Sequence, residues 1–224
     1  MKRYVVYGLV GLGAAAVYSQ FWKPTPQQLL AARSLDRLSN LVAVATKEWE
    51  AKVREVGGNT DTGPRVNEYQ RIVGLDGGDA WCMAFVQWCI STSLGQIRKV
   101  GWGGGSCSGV FANVERLLRN GYLHPSAVVY ESDPNKRSKV RPGWIWVRKG
   151  HTGIVINPKS VTGDKFQCIE GNTWLAKEGW GVLKQDHAWD KHGPIPPGEK
   201  DTNNVGWFDP FAVEDAYRAS RNNA

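Results

Sequence analysis

Residues 77–90 read Gly77-Gly78-Asp79-Ala80-Trp81-Cys82-Met83-Ala84-Phe85-Val86-Gln87-Trp88-Cys89-Ile90, and this stretch decides the fold. Cys82, Phe85, Val86 and Cys89 recur at i, i+3, i+4 and i+7, the spacing of one helical face, and Trp81, Ala84 and Trp88 form an adjoining stripe. A helix that is apolar nearly all round has no face to offer water, so it belongs at the centre of the domain. Cys82 falls in its first turn. There, unpaired backbone N–H groups and the positive end of the helix dipole stabilise a thiolate and lower its pKa. Cys89, two turns on, lacks that field and reads as a small core hydrophobe. Seven helical residues advance about 10 Å, beyond disulfide reach, so Cys82 and Cys89 are not expected to bond to each other. A disulfide, if export brings one, draws on Cys89, Cys107 and Cys168.

A cysteine nucleophile needs a base, and the base needs a group to hold it. Of the four His, His151 is best placed, at the edge of the β-rich run His151-Thr152-Gly153-Ile154-Val155-Ile156. His124 precedes Pro125 in a loop, and His187 and His192 lie in a polar Gly/Pro-rich region that reads as surface. Cys168-Ile169-Glu170-Gly171-Asn172-Thr173 supplies Glu170 and Asn172 just after a strand. A hairpin of strands 151–156 and 165–170, with its turn centred between Ser160 and Val161, sets Glu170 opposite His151 on the same face. Asn172 then falls beyond the strand.

On the N-terminal side, Pro24 and Pro26 mark a linker and a helix start ahead of a helical pattern through Leu29, Leu30, Leu35, Leu38, Leu41 and Val42. A second helix is expected through Leu41, Val44, Trp49 and Val53, stopping at Gly57-Gly58-Asn59. On the C-terminal side the period changes. Residues 144–147, 152–156, 165–169, 181–184 and 205–208 are short β-rich runs bounded by Gly, Pro or Asn. Helices first and strands later predict an α+β domain with an antiparallel sheet.

The chain of 224 residues carries 28 Lys+Arg against 21 Asp+Glu, a formal charge of +7, with 42% hydrophobic residues. That apolar content excludes a disordered chain, and four Cys without CxxC or HxxxH spacing exclude a disulfide scaffold and a structural zinc site. The excess charge is scattered. Its one dense cluster, Lys136-Arg137-Ser138-Lys139 with Arg141, reads as a solvated loop, and no nucleic-acid partner is expected. Lys2 and Arg3 precede 19 uncharged residues, Tyr4 to Trp22, with Ala14-Ala15-Ala16 at a position that suits cleavage. A cleaved signal peptide and a retained membrane anchor both fit. Either places the body of the protein outside the cytoplasm, in the periplasm, cell envelope or medium.

Together these residues resemble the CHAP domain, the cysteine, histidine-dependent amidohydrolase/peptidase family of papain-like fold that cuts peptidoglycan. The resemblance rests on Glu55 to Gly63 (EVGGNTDTG), Tyr69, Trp81-Cys82-x-Ala84-Phe85-Val86 with Trp88, and Pro142-Gly143. It continues through His151-x-Gly153-Ile154-Val155, Glu170-Gly171-Asn172-Thr173, Gly181-Val182 and Gly206-Trp207-Phe208. It implies a papain-like cysteine hydrolase fold, N-terminal helices packed on an antiparallel sheet, with Cys82 as nucleophile, His151 as general base, Glu170 as orienter and Asn172 as polar helper. No cofactor is implied. No acidic run like the calcium loop of some relatives is present, and no metal is expected.

The implied activity is hydrolysis of an amide in the stem peptide or cross-bridge of peptidoglycan. Trp102, Trp174 and Trp180, in Gly-rich surroundings, are candidates to line the substrate groove, though core packing would also explain them. Two alternatives differ in kind: a non-catalytic cell-wall-binding or assembly module of the same fold, and a cysteine amidase acting on another amide. The organisation expected is a signal or anchor over 1–22, a linker or helical stalk over 23–40, the catalytic domain over 41–210 and a tail over 211–224.

Overall fold

The structure is a computed structural model that describes residues 26–96, 99–159, 163–189 and 206–222. The expected signal or anchor, residues 1–22, and His192 lie outside the described residues. Among the described residues no helix is long and apolar enough to cross a membrane. The chain divides into two compact units, 1–35 and 36–224. In the first, the described part is the opening of helix α1 (Pro26–Glu50); Pro26 fits there because the first turn has no use for its missing N–H.

α1 runs unbroken to Glu50, where the sequence pattern suggested two helices and a stop at Gly57. The physical reason is plain: no Gly or Pro interrupts residues 27–50. Lys52, in the left-handed region at φ 52°, then turns the chain. Residues 53–55 run alongside one edge of the sheet, with Val182 N–H donating to Val53 C=O and Glu55 N–H to Trp180 C=O.

After α1 come α2 (Pro64–Ile72), α3 (Cys82–Ser93) and α4 (Cys107–Arg119). Then follow β1 (Val128–Tyr130), the short α5 (Lys136–Lys139), β2 (Ile145–Arg148), β3 (His151–Asn157), β4 (Lys165–Leu175), β5 (Gly179–Ala188), β6 (Gly206–Phe208) and α6 (Pro210–Asn222). The six strands form one sheet in the order β1-β6-β2-β3-β4-β5, and every described pairing is antiparallel. The fold is therefore α+β.

α3 is the central helix: residues 82–87 and 89–91 are all buried. It packs on α2, β3 and β4, and β4 lies against it so closely that a Cβ at Gly171 would come 2.6 Å from Phe85 Cβ and from the Trp81 ring. Only glycine permits that approach.

The expected tail is a helix. Phe211, Val213 and Ala216 on α6 are buried, Asp209 Oδ1 accepts from the N–H groups of Phe211 and Ala212, and Glu214 takes hydrogen bonds from Gly101 N–H and Arg218. The domain thus extends past Pro210, because an apolar stripe on this last helix still has core to cover.

Candidate functional site

Cys82 is the first residue of α3 and is buried. Its position is prepared by Glu55. One Glu55 oxygen accepts from the N–H groups of Thr60 and Asp61 at 2.8 and 2.9 Å, and the other accepts from Trp81 Nε1 at 2.9 Å. A single carboxylate thus ties loop 55–61 to the residue preceding Cys82. Gln70 adds to this clamp, its side-chain amide donating to the carbonyls of Asp61 and Asp79.

His151 opens β3, and its Nε2–H donates to Glu170 Oε2 over 2.7 Å. With Nε2 so engaged, Nδ1 is the ring nitrogen left to serve Cys82, whose charge interacts with that of His151. The register that brings this about differs from the one expected. Ile154 pairs with Ile169 and Val155 with Cys168, a shift of two residues. Two is the strand period, so Glu170 keeps the face of His151 but lies diagonal to it. Gly153 is what lets the carboxylate lean across: a Cβ there would sit 2.7 Å from Glu170 Cγ.

The electrostatics follow from these contacts. Glu170 is 1% exposed. Burial alone would raise its pKa, but hydrogen bonds from His151 and His187, with the imidazole charges, hold it down at about 2. Burial likewise opposes a charged His151, yet its interactions with Cys82 and Glu170 lift it to about 9. The Cys82 thiol is pulled well below the ordinary thiol value, first by a hydrogen bond from Cys107 and then, against desolvation, by His151 and the N–H of Met83. The Cys107 thiol is pushed up by the same contact and by burial. Of the two sulfurs, Cys82 holds the anion, because His151 stands against it. The arrangement can hold a thiolate beside an imidazolium whose far nitrogen is fixed by a carboxylate. This is the equipment of a cysteine nucleophile.

Two members of this cluster were not singled out from the sequence. His187, on β5, donates from Nε2 to the other oxygen of Glu170 and stacks on Trp146, ring centroids 4.2 Å apart, and on Phe166 at 5.3 Å. It is held inside an aromatic layer and is not the surface residue that its polar surroundings suggested. Cys107 places its sulfur 3.7 Å from that of Cys82, although its number gives no hint of the contact. All four cysteines are free thiols. Burial pushes the Cys89 and Cys168 thiols up.

Asn172 does not join Glu170. A bulge between Glu170 and Thr173 in the β4–β5 pairing puts Asn172 in the left-handed region at φ 52°, where its side chain interacts with the Asp61 carboxyl. Asp61 is itself left-handed, at φ 54°. Its carboxyl is raised by burial, then by Glu55, and it lies near enough to Cys82 to interact with its charge. Two left-handed residues thus flank Cys82, and Asp and Asn are the side chains that tolerate that conformation best after glycine.

The three tryptophans part company. Trp102 is 1% exposed and meets Phe208 edge-on at 5.5 Å, so it is core and not groove lining. Trp174 is 52% exposed, and half-buried Trp180 is its cross-strand partner. Among the described residues no group of three or more His, Cys, Asp or Glu is arranged to hold a metal ion. Comparison with known protein families, curated proteins and solved structures finds no match to this chain.

Proposed function

We propose that the protein is a papain-like cysteine hydrolase of the CHAP type that cuts an amide bond in the stem peptide or cross-bridge of peptidoglycan. The observation that carries the reading is Cys82 at the start of the central helix, its thiolate stabilised by the His151 imidazole, whose Nε2 is 2.7 Å from buried Glu170. The Cys82 thiolate attacks the amide carbonyl carbon, and the N–H groups of the first turn of α3 receive the developing oxyanion. The tetrahedral intermediate collapses as His151 passes its proton to the departing amine, leaving a thioester on Cys82. His151, now neutral, takes a proton from water, whose oxygen attacks the thioester and releases the acid. Glu170 fixes the imidazole and stabilises its charged form throughout.

Peptidoglycan as substrate rests on the motif resemblance of residues 55–63, 81–88, 151–155 and 170–173, on exposed Trp174 as a stacking surface, and on the export signal read in residues 1–22. In this reading the protein works outside the cytoplasm. Mass spectrometry of fragments released from defined peptidoglycan tests it: new amine and carboxyl ends at one type of amide are expected, blocked by iodoacetamide and unaffected by EDTA. Binding without product would make the protein a wall-binding module instead.

A further inference from the structure

Cys107 has no part in that reaction scheme, yet its sulfur lies 3.7 Å from the nucleophile. Both residues open a helix, Cys82 that of α3 and Cys107 that of α4, so the positive ends of two helix dipoles converge on the sulfur pair. Closing the sulfurs to a bond of about 2.05 Å requires a movement of roughly 1.7 Å. The chain before Cys107 is a run of glycines, Gly103-Gly104-Gly105, ahead of its N-cap Ser106; Gly103 packs on Gln87, while Gly104 has no neighbour on its Cβ side and is the point where the chain can give. Cys89 and Cys168 are fully enclosed, which leaves Cys107 as the thiol positioned to resolve an oxidised Cys82.

We propose that Cys82 and Cys107 form a reversible disulfide on exposure to a hydroperoxide, switching the site off and sparing Cys82 from irreversible oxidation. This rests on the reading of Cys82 as a reactive thiolate. The Cys82 sulfur attacks the peroxide; an S–O bond forms, the O–O bond breaks, and the departing oxygen leaves, once protonated, as water from hydrogen peroxide or as the alcohol from an organic hydroperoxide. The product at Cys82 is a sulfenic acid. The Cys107 sulfur then attacks the Cys82 sulfur, the S–S bond forms, and the S–O bond breaks with loss of a water that carries the Cys107 proton. Two thiols are oxidised by two electrons and one peroxide is reduced. Because the two helix ends stabilise the thiolate of the reduced form, the disulfide is an oxidising one that a dithiol reductant readily opens.

The test uses the full-length protein, hydrogen peroxide and peptide mapping by mass spectrometry. In the wild type, Cys82 and Cys107 should lose alkylation together, appear as one bridged peptide pair, and return together with dithiothreitol. In Cys107→Ser, Cys82 should advance to sulfinic acid that dithiothreitol does not reverse. Cys82 sulfinic acid in the wild type, with Cys107 still open to alkylation, would overturn the proposal. The readout is a mass and not an activity. A protein that forms the bridge but whose reduced form fails to cut peptidoglycan would therefore support the switch and count against the substrate, whereas a protein active when reduced that forms no bridge would sink the switch alone.

Discussion

The buried carboxylate of Glu170 serves two imidazoles, one on each oxygen, and so fixes the His151 ring more firmly than a single partner would. Asn172 is engaged with Asp61 instead. Glu170→Ala is therefore expected to lower kcat by about a hundredfold or more, in the range of a lost positioning group in an acid–base pair, and Asn172→Ala by much less. Steady-state kinetics of both on one substrate decides this; a larger loss for Asn172→Ala would reverse the assignment. The pH profile follows from the same contacts. Turnover needs thiolate and imidazolium together, so it should hold across neutrality, where the lowered Cys82 is already ionised, and fall as pH rises through about 9, where His151 loses its proton. A profile that climbs steadily past that point would show an ordinary thiol at work. At this scale Cys82, His151 and Glu170 are legible in the sequence because each sits in its own local pattern. His187 and Cys107 are not, since their contacts depend on the register of β5 and the convergence of two helix starts.

Elements place these residues by close approach. β3 and β4 can put His151 and Glu170 diagonal to one another because Gly153 leaves the space between them empty. Gly153→Ala should push the Glu170 side chain off its line and reduce kcat by about tenfold or more, and because the new Cβ also meets Cys168 Cβ at 3.0 Å it should lower the melting temperature too; circular dichroism melting beside kinetics measures both in the folded protein, and unaltered turnover would remove Gly153 from the account. Strand faces were readable from the period of two, but the exact register was not. A shift of two residues preserves every face, so the alternation of apolar and polar residues cannot detect it. The unbroken α1 and the missing stop at Gly57 reflect a similar limit, as periodicity says where a face points and says less about where an element ends.

Over the whole molecule, α6 extends the core past Pro210, where the sequence pattern ends the domain. Its contribution rests on a few buried residues in a short amphipathic stretch, too little to stand out against a polar C-terminus. Phe211 is fully buried, with the Arg37 guanidinium 4.5 Å from its ring centre. Phe211→Ala should destabilise the domain by about 3–5 kcal/mol, measurable by urea unfolding; a loss under 1 kcal/mol would make α6 a dispensable appendage. The α+β layout, the central helix and the candidates Cys82, His151 and Glu170 follow from local patterns, while the closing helix and the second imidazole come from long-range packing. The central claim is that Cys82 carries the acyl group. Acid-quenched reactions of the protein with peptidoglycan fragments, digested and read by tandem mass spectrometry, should show a thioester adduct on the Cys82 peptide that is absent from Cys82→Ala, together with loss of product. Product formed at an undiminished rate by Cys82→Ala, with no adduct on Cys82 in the wild type, would contradict it.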